Sequence, residues 1–186
     1  MPGVRLGVRE LEPEQSLAAL RTGEVELAVA HEYSHVPRRG ERGLQRSVLF
    51  REPLLLALPA DHRRVAPSVA LADLADEPGW IVPPAGLTCR DEVRLACAAA
   101  GFEPRIASIA YSHDVTLALV AAGGVALVPQ TAAVDARDDV VLARPTDVPA
   151  WREVFAAVRR GSAHRPSIAR ALSALERAAG ARVSPG

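Results

Sequence analysis

Short apolar runs alternate with helical stretches along almost the whole chain, and glycine or proline marks most of the changes. This alternation constrains the fold more than any single motif. Strand, helix and strand within about 30 residues make a βαβ unit, and its repetition defines an α/β protein with parallel strands. In the first such unit Val4, Leu6 and Val8 alternate as a strand does. Pro13-Glu14 then opens a helix with Leu17 and Leu20 on one face, and Gly23 stops it. Val25–Ala30 follows as a nearly continuous apolar run of the parallel-sheet kind.

Further strands are expected over Leu44–Arg51 and Leu54–Leu58, on either side of Glu52-Pro53, and over Trp80–Val82, Ile106–Ala110, Val125–Val128, Val140–Leu142 and Trp151–Val158. Helices are expected over Leu71–Ala75, from Thr88 to about Ala100 with Gly101 as the stop, and over Ser112–Ala122. In the last segment Ile168, Ala171, Leu172, Leu175 and Ala179 keep helical spacing between Pro166 and Gly180. Thr88-Cys89-Arg90-Asp91 has the form of a capping box, with Asp in the usual Glu or Gln place. His31–Gly43, punctuated by Pro37 and Gly40, reads as a polar loop.

Composition removes several function classes. With 186 residues the chain is one large domain or two small lobes. Its 22 basic residues, all arginine, balance 22 acidic ones, which argues against a nucleic-acid module or a polybasic membrane binder. Two cysteines are too few for a disulfide scaffold or a four-cysteine zinc site. Met1–Arg5 has no apolar leader core, so a cytoplasmic location is expected. Val115–Val134 is uncharged and long enough to span a bilayer. Gly123-Gly124 and Pro129 interrupt it, and helix, glycine stop, strand, proline stop is the better reading.

Candidate chemistry is sparse. No Gly-x-Ser-x-Gly or phosphate-cradling glycine loop is present; His31-Glu32-Tyr33-Ser34-His35 has the His-Glu-x-x-His spacing but no helix to carry it. His31, Glu32 and His35 are close enough to raise the question of a metal, but they fall on the polar loop without a nearby cysteine, and no metal or cofactor is expected. Cys89 at a helix N-terminus is a nucleophile candidate, with a structural thiol favoured. His113-Asp114 could be half of a triad but lacks a well-placed serine. Cys97, among alanines, is expected in the core.

Four segments carry a family resemblance. Leu20-Arg21-Thr22-Gly23-Glu24-Val25-Glu26-Leu27-Ala28-Val29 resembles the L-x-x-G-x-hydrophobic-D-L-A-I segment of LysR-type transcriptional regulators, with Glu26 in the place of the usual Asp. Leu49–Leu54 and Leu56–His62 resemble the family's next two strands and the turn after them. Leu119–Pro129 is similar to its V-A-A-G-x-G segment, without the residue between the two glycines. All four occur in the family's order and span nearly the whole chain.

The resemblance implies the effector-binding region, a two-lobed α/β fold of the type 2 periplasmic-binding-protein kind, with each lobe a mostly parallel sheet flanked by helices. It implies a first lobe from residues 1–56 and 146–180, an inserted lobe over 57–145 and a tail at 181–186. It also implies that the helix-turn-helix, and the first strand and helix of lobe 1, are not in this sequence. The implied function is to bind a small-molecule effector, possibly a carboxylate, between the lobes of a homodimeric regulator; DNA contact would come only through the absent helix-turn-helix. In open α/β sheets ligands lie beyond the carboxyl ends of strands, near helix N-termini. That selects Leu11, Pro13 and His31 in the first lobe, and Pro84, Gly86, Thr88, Ser112, His113 and Asp114 in the second. A cytoplasmic solute-binding protein of the same fold and, further off, a small enzyme using Cys89 or His113 are the alternatives.

Overall fold

A computed structural model of the chain describes residues 6–38, 42–135 and 137–182. The chain divides into two compact units, one of residues 1–32, 38–51 and 153–186, the other of 33–37 and 52–152.

In the first unit Pro13 stands at the first turn of α1 (Pro13–Thr22), and Gly23 ends the helix with a φ of 86°, a left-handed conformation that glycine adopts without side-chain strain. Leu17 and Leu20 point inward and pack on Ala28 and Ala30 of β1 (Leu27–Tyr33), on Leu44 of β2 (Leu44–Pro59) and on Phe155 and Ala157 of β8 (Trp151–Arg159). β8 lies between β1 and β2. The Arg159 guanidinium ties the end of α1 to the sheet by donating to the Leu20 and Val25 carbonyls at 2.7 and 2.9 Å. The last helix, α4 (Pro166–Arg182), continues through Gly180 instead of stopping there.

Several expectations are corrected here. Residues 6–12 form no strand; Leu6 and Val8 are largely exposed, and among the described residues no strand lies beside them. Alternation becomes a strand only where a neighbour satisfies the backbone; Val4 falls outside the described residues. β1 starts two residues later than expected and includes His31–Tyr33, and Val29 is 45% exposed while Ala28 and Ala30 are buried. Its second face is thus open at Val29 and closed again at Tyr33. Glu52-Pro53 does not divide β2, which is a single strand of 16 residues. Proline's fixed φ suits an extended backbone, and the ladder resumes at once, with Leu54 N donating to Ala150 O at 2.9 Å.

In the second unit, β2 from Glu52 onward pairs antiparallel with β6 (Ala126–Pro129) and with β7 (Val140–Pro145), and β7 pairs parallel with the short β3 (Ser68–Val69). β4 (Trp80–Val82) pairs parallel with β5 (Ile106–Ile109) on one side and meets Val125 in a parallel bridge on the other. β2 is thus the antiparallel member in a unit otherwise paired parallel. β5 is followed by α3 (His113–Ala121) and β4 by α2 (Thr88–Ala99). The core gathers Leu54, Leu56, Leu58, Trp80, Val82, Val93, Cys97 and Leu127, while Ala57, Ile81, Leu117, Val120 and Val128 form a second cluster.

The expected capping box is absent. Leu87, not a threonine, is the N-cap of α2, and Thr88 is already helical. The expected helix at Leu71–Ala75 is a 3-10 turn over Leu71–Leu74, and a second 3-10 turn follows β6 at Gln130–Asp135. The first of these turns is held by Asp147, whose carboxylate accepts from Leu71 N at 2.7 Å and Ala72 N at 2.9 Å.

Two expected outcomes follow from this packing. A Cβ on Gly124 would overlap Ile81 Cδ1 and come within 3.1 Å of Gly79 O. Gly124→Ala should therefore cost about 1–3 kcal/mol in urea unfolding. Adding Ile81→Val, which removes the obstructing methyl, should recover part of that loss. Burial acts to raise the Asp147 carboxyl, but the amides of Ala72 and Leu71 outweigh it and hold it below the ordinary carboxylate range. Its contribution to stability is then fully present above the unfolded value of about 3.9 and is lost as the pH falls through the lowered value. The difference in urea midpoint between the parent chain and Asp147→Asn should accordingly shrink as the pH drops below about 4.

Candidate functional site

The parallel pairing of β4 with β5, and of Trp80 with Val125, sends three strand ends to one edge of the second unit. Beyond β4 lie Pro83–Leu87 and the start of α2. Beyond β5 lie Ala110–Ser112 and the start of α3. Beyond β6 lies Gln130–Asp135. Pro84, Gly86, Thr88, Ser112, His113 and Asp114 are therefore at one sheet edge, although up to 30 residues separate them. Gly86 is exposed with a φ of 87°, and Pro84 and Thr88 are half-buried. Arg90 fixes the first loop by donating from Nη1 to Pro83 O at 2.9 Å. No side chain caps the first turn of α2, so that end presents amide donors and the positive end of the helix dipole. Ser112 is the N-cap of α3. It hydrogen-bonds Asp114, whose carboxyl it lowers together with the Val115 amide.

The residues selected in the first unit are arranged differently. Leu11 is half-buried ahead of α1, Pro13 is buried as its first residue, and His31 lies in β1, where its carbonyl accepts from Arg38 Nε at 3.1 Å. Several of the charges near them are paired. Arg38 bonds Glu14 and, through its amide, Glu32, and Arg46 reaches both Glu32 and Glu153 while lying 3.7 Å over the Phe155 ring. Burial alone would raise the Glu32 carboxyl, but Arg46 and Arg38 outweigh it and lower it. His31, Glu32 and His35 do not converge, because Glu32 faces arginines and His35 faces Glu92. Among the described residues no group of three His, Cys, Asp or Glu side chains could hold a metal ion.

Two buried carboxylates were not legible as site residues. Glu52 stands where β2 enters the second unit, at the same edge, because Leu54 pairs with Pro129. Its Oε1 accepts from Arg152 Nε and Nη2 at 2.9 and 2.5 Å, and its Oε2 accepts from Thr131 N at 2.7 Å. Arg152 also donates to Thr131 Oγ1 at 2.9 Å. Tyr33 borders this cluster: burial pushes its phenol up, as does Cys89, while Arg152 acts against them. Glu92, on α2, bonds Ser34 and His35. Its sequence signal is a charge on the helix face that also carries Val93 and Ala96. Glu52 shows only as a charge inside an apolar run. Cys97 lies in the core as expected, its thiol pushed up to about 12 by burial.

Two helix starts and a buried charge cluster lie beside parallel strand ends, the place where open α/β sheets take their ligands. Residues 1–180 match the LysR substrate binding domain, and the chain belongs to that family. It is 37% identical over 127 residues to the small neutral protease regulatory protein of Streptomyces coelicolor, covering 67% of this chain and 39% of that protein. It is 28% identical over 161 residues to the HTH-type transcriptional regulator CatR of Pseudomonas putida, covering 85% of this chain and 54% of the relative. The chain thus spans about half the length or less of these relatives. The effector binding domain of BenM, solved with its effector benzoate, superposes with a TM-score of 0.78 at 22% identity, over 97% of this chain and 81% of that one. The α/β fold expected from the sequence is the fold of that domain. No described helix is long and apolar enough to cross a membrane.

Arg152→Ala would leave the Glu52 carboxylate buried without its cation. Urea unfolding should show a loss of about 3–5 kcal/mol. Replacing both Glu52 and Arg152 by leucine should cost less than this single change.

Proposed function

We propose that the chain is the effector-sensing part of a LysR-type transcriptional regulator. In this reading it binds a small organic molecule and couples that binding to transcription through a helix-turn-helix domain outside these 186 residues. The observation that carries the reading is the shared sheet edge of the second unit, where α2 and α3 begin after neighbouring parallel strands in a chain of this family. Pro84, Gly86, Thr88, Ser112, His113 and Asp114 are the proposed effector contacts there, with Leu11, Pro13 and His31 in the first unit. Residues 1–56 and 146–180 are proposed as one lobe, 57–145 as the other, and the working form as a homodimer.

Carboxylates are the favoured effector class, because helix N-termini offer amide donors to anions. The benzoate of BenM supports the same choice. The test is a thermal-shift and calorimetric comparison of benzoate and other aromatic and aliphatic carboxylates with the matching amides. A carboxylate should raise the melting temperature where its amide does not. Thr88→Pro, which alters the first turn, should weaken that carboxylate about tenfold, or 1.4 kcal/mol. Equal response to acids and amides would refute the carboxylate class, and binding unaffected by Thr88→Pro and Ser112→Pro would refute the site.

A further inference from the structure

Helix α2 begins at the proposed effector edge, and one turn further on it buries a carboxylate completely. Glu92 Oε1 accepts from Ser34 Oγ at 2.6 Å and lies 2.9 Å from His35 Nδ1; Oε2 accepts from His35 N at 2.8 Å. Ser34 passes the connection on. Its Oγ accepts from Trp151 N at 3.1 Å, and its own amide donates to Trp151 O at 3.1 Å. Ser34 and His35 belong to the segment 33–37, which the chain enters from the first unit after Glu32 and leaves at Arg38. Trp151 stands two residues before the chain returns to the first unit at Glu153. One side chain on α2 therefore holds two stretches of chain that lead from one unit to the other.

A buried carboxylate is an expensive way to fill space, since an apolar side chain of similar volume packs a core without desolvating a charge. The other buried residues of α2, Val93, Ala96 and Cys97, are of that apolar kind. What Glu92 adds is direction: three short bonds that fix where Ser34, His35 and, through Ser34, Trp151 sit relative to the helix. We propose that Glu92 is a positioning residue that ties the 33–37 and 150–152 crossings to α2, so that a displacement of the helix start is carried to both. The regulatory meaning rests on the effector reading given above; the tie itself does not.

Amide hydrogen exchange on the full 186-residue chain tests the tie without any effector, so its failure is distinct from a failure of that reading. Glu92→Leu keeps the volume and removes the acceptors. The amides of His35 and Trp151 should then exchange about tenfold faster, while those of residues 54–58 and 80–82 keep their protection. Glu92→Gln, which retains one acceptor oxygen, should restore protection at His35. Ser34→Ala leaves α2 untouched and should release Trp151 alone, which keeps the test decisive if Glu92→Leu does not fold. Unchanged exchange at His35 and Trp151 would overturn the proposal. So would an increase spread evenly over residues 54–58 and 80–82, or no effect of Ser34→Ala on Trp151.

Discussion

Gly79 and Gly124 bring two backbones close enough for Val125 N to donate to Gly79 O and Ile81 N to donate to Val125 O, both at 2.9 Å. A side chain on Gly124 would collide with Ile81 and press closely on the Gly79 carbonyl. The contact joins β4 to the strand that becomes β6, and through β6 to β2. Without it the β4–β5 pair would have no hydrogen-bonded link to the remaining strands of its unit. The common edge at which α2, α3 and the 130–135 turn begin depends on this one approach. It also accounts for the second of the two adjacent glycines, while the first, Gly123, has a φ of 107°.

At that edge the unit accepts buried charge. Glu52 and Glu92 are both closed to solvent, and each is satisfied by several donors. Removing a partner from such a group costs more than the hydrogen bond itself is worth, because the desolvated charge remains. These two carboxylates therefore specify local geometry beyond what apolar packing gives. Glu52 sets the start of the 130–135 turn against the start of β8, and Glu92 sets α2 against the segment after β1.

Local signals in the sequence were readable where one short stretch of chain decides the outcome. Pro13 and Gly23 delimit α1, Gly101 follows α2 with a φ of 90°, and Leu17 and Leu20 mark the buried face. The family segments around Gly23 and Gly123 led to the right fold. Signals failed where a distant partner decides. Leu6 and Val8 alternate, but no described strand lies beside them. Pro53 looked like a break, but Ala150, far along the chain, accepts from the next amide. Thr88 had the sequence of a cap, while the backbone puts Leu87 there. The Glu52 cluster joins residues 79 and 100 positions apart, a distance over which periodicity carries no information.

The donors that satisfy Glu52 and Glu92 from across the fold include two main-chain amides, those of Thr131 and His35. An amide is present whatever side chain its residue bears, proline excepted. The two halves of each contact are therefore under unequal hereditary constraint. The acid is spelled out by a codon, and its amide partner is supplied by the shape of the chain. Substitution can drift at positions 35 and 131 while those amide bonds persist, and an alignment scanned for paired changes would see little there. Paired changes would point to Arg152 and Ser34, whose side chains also donate, and would pass over the residues that supply the amides.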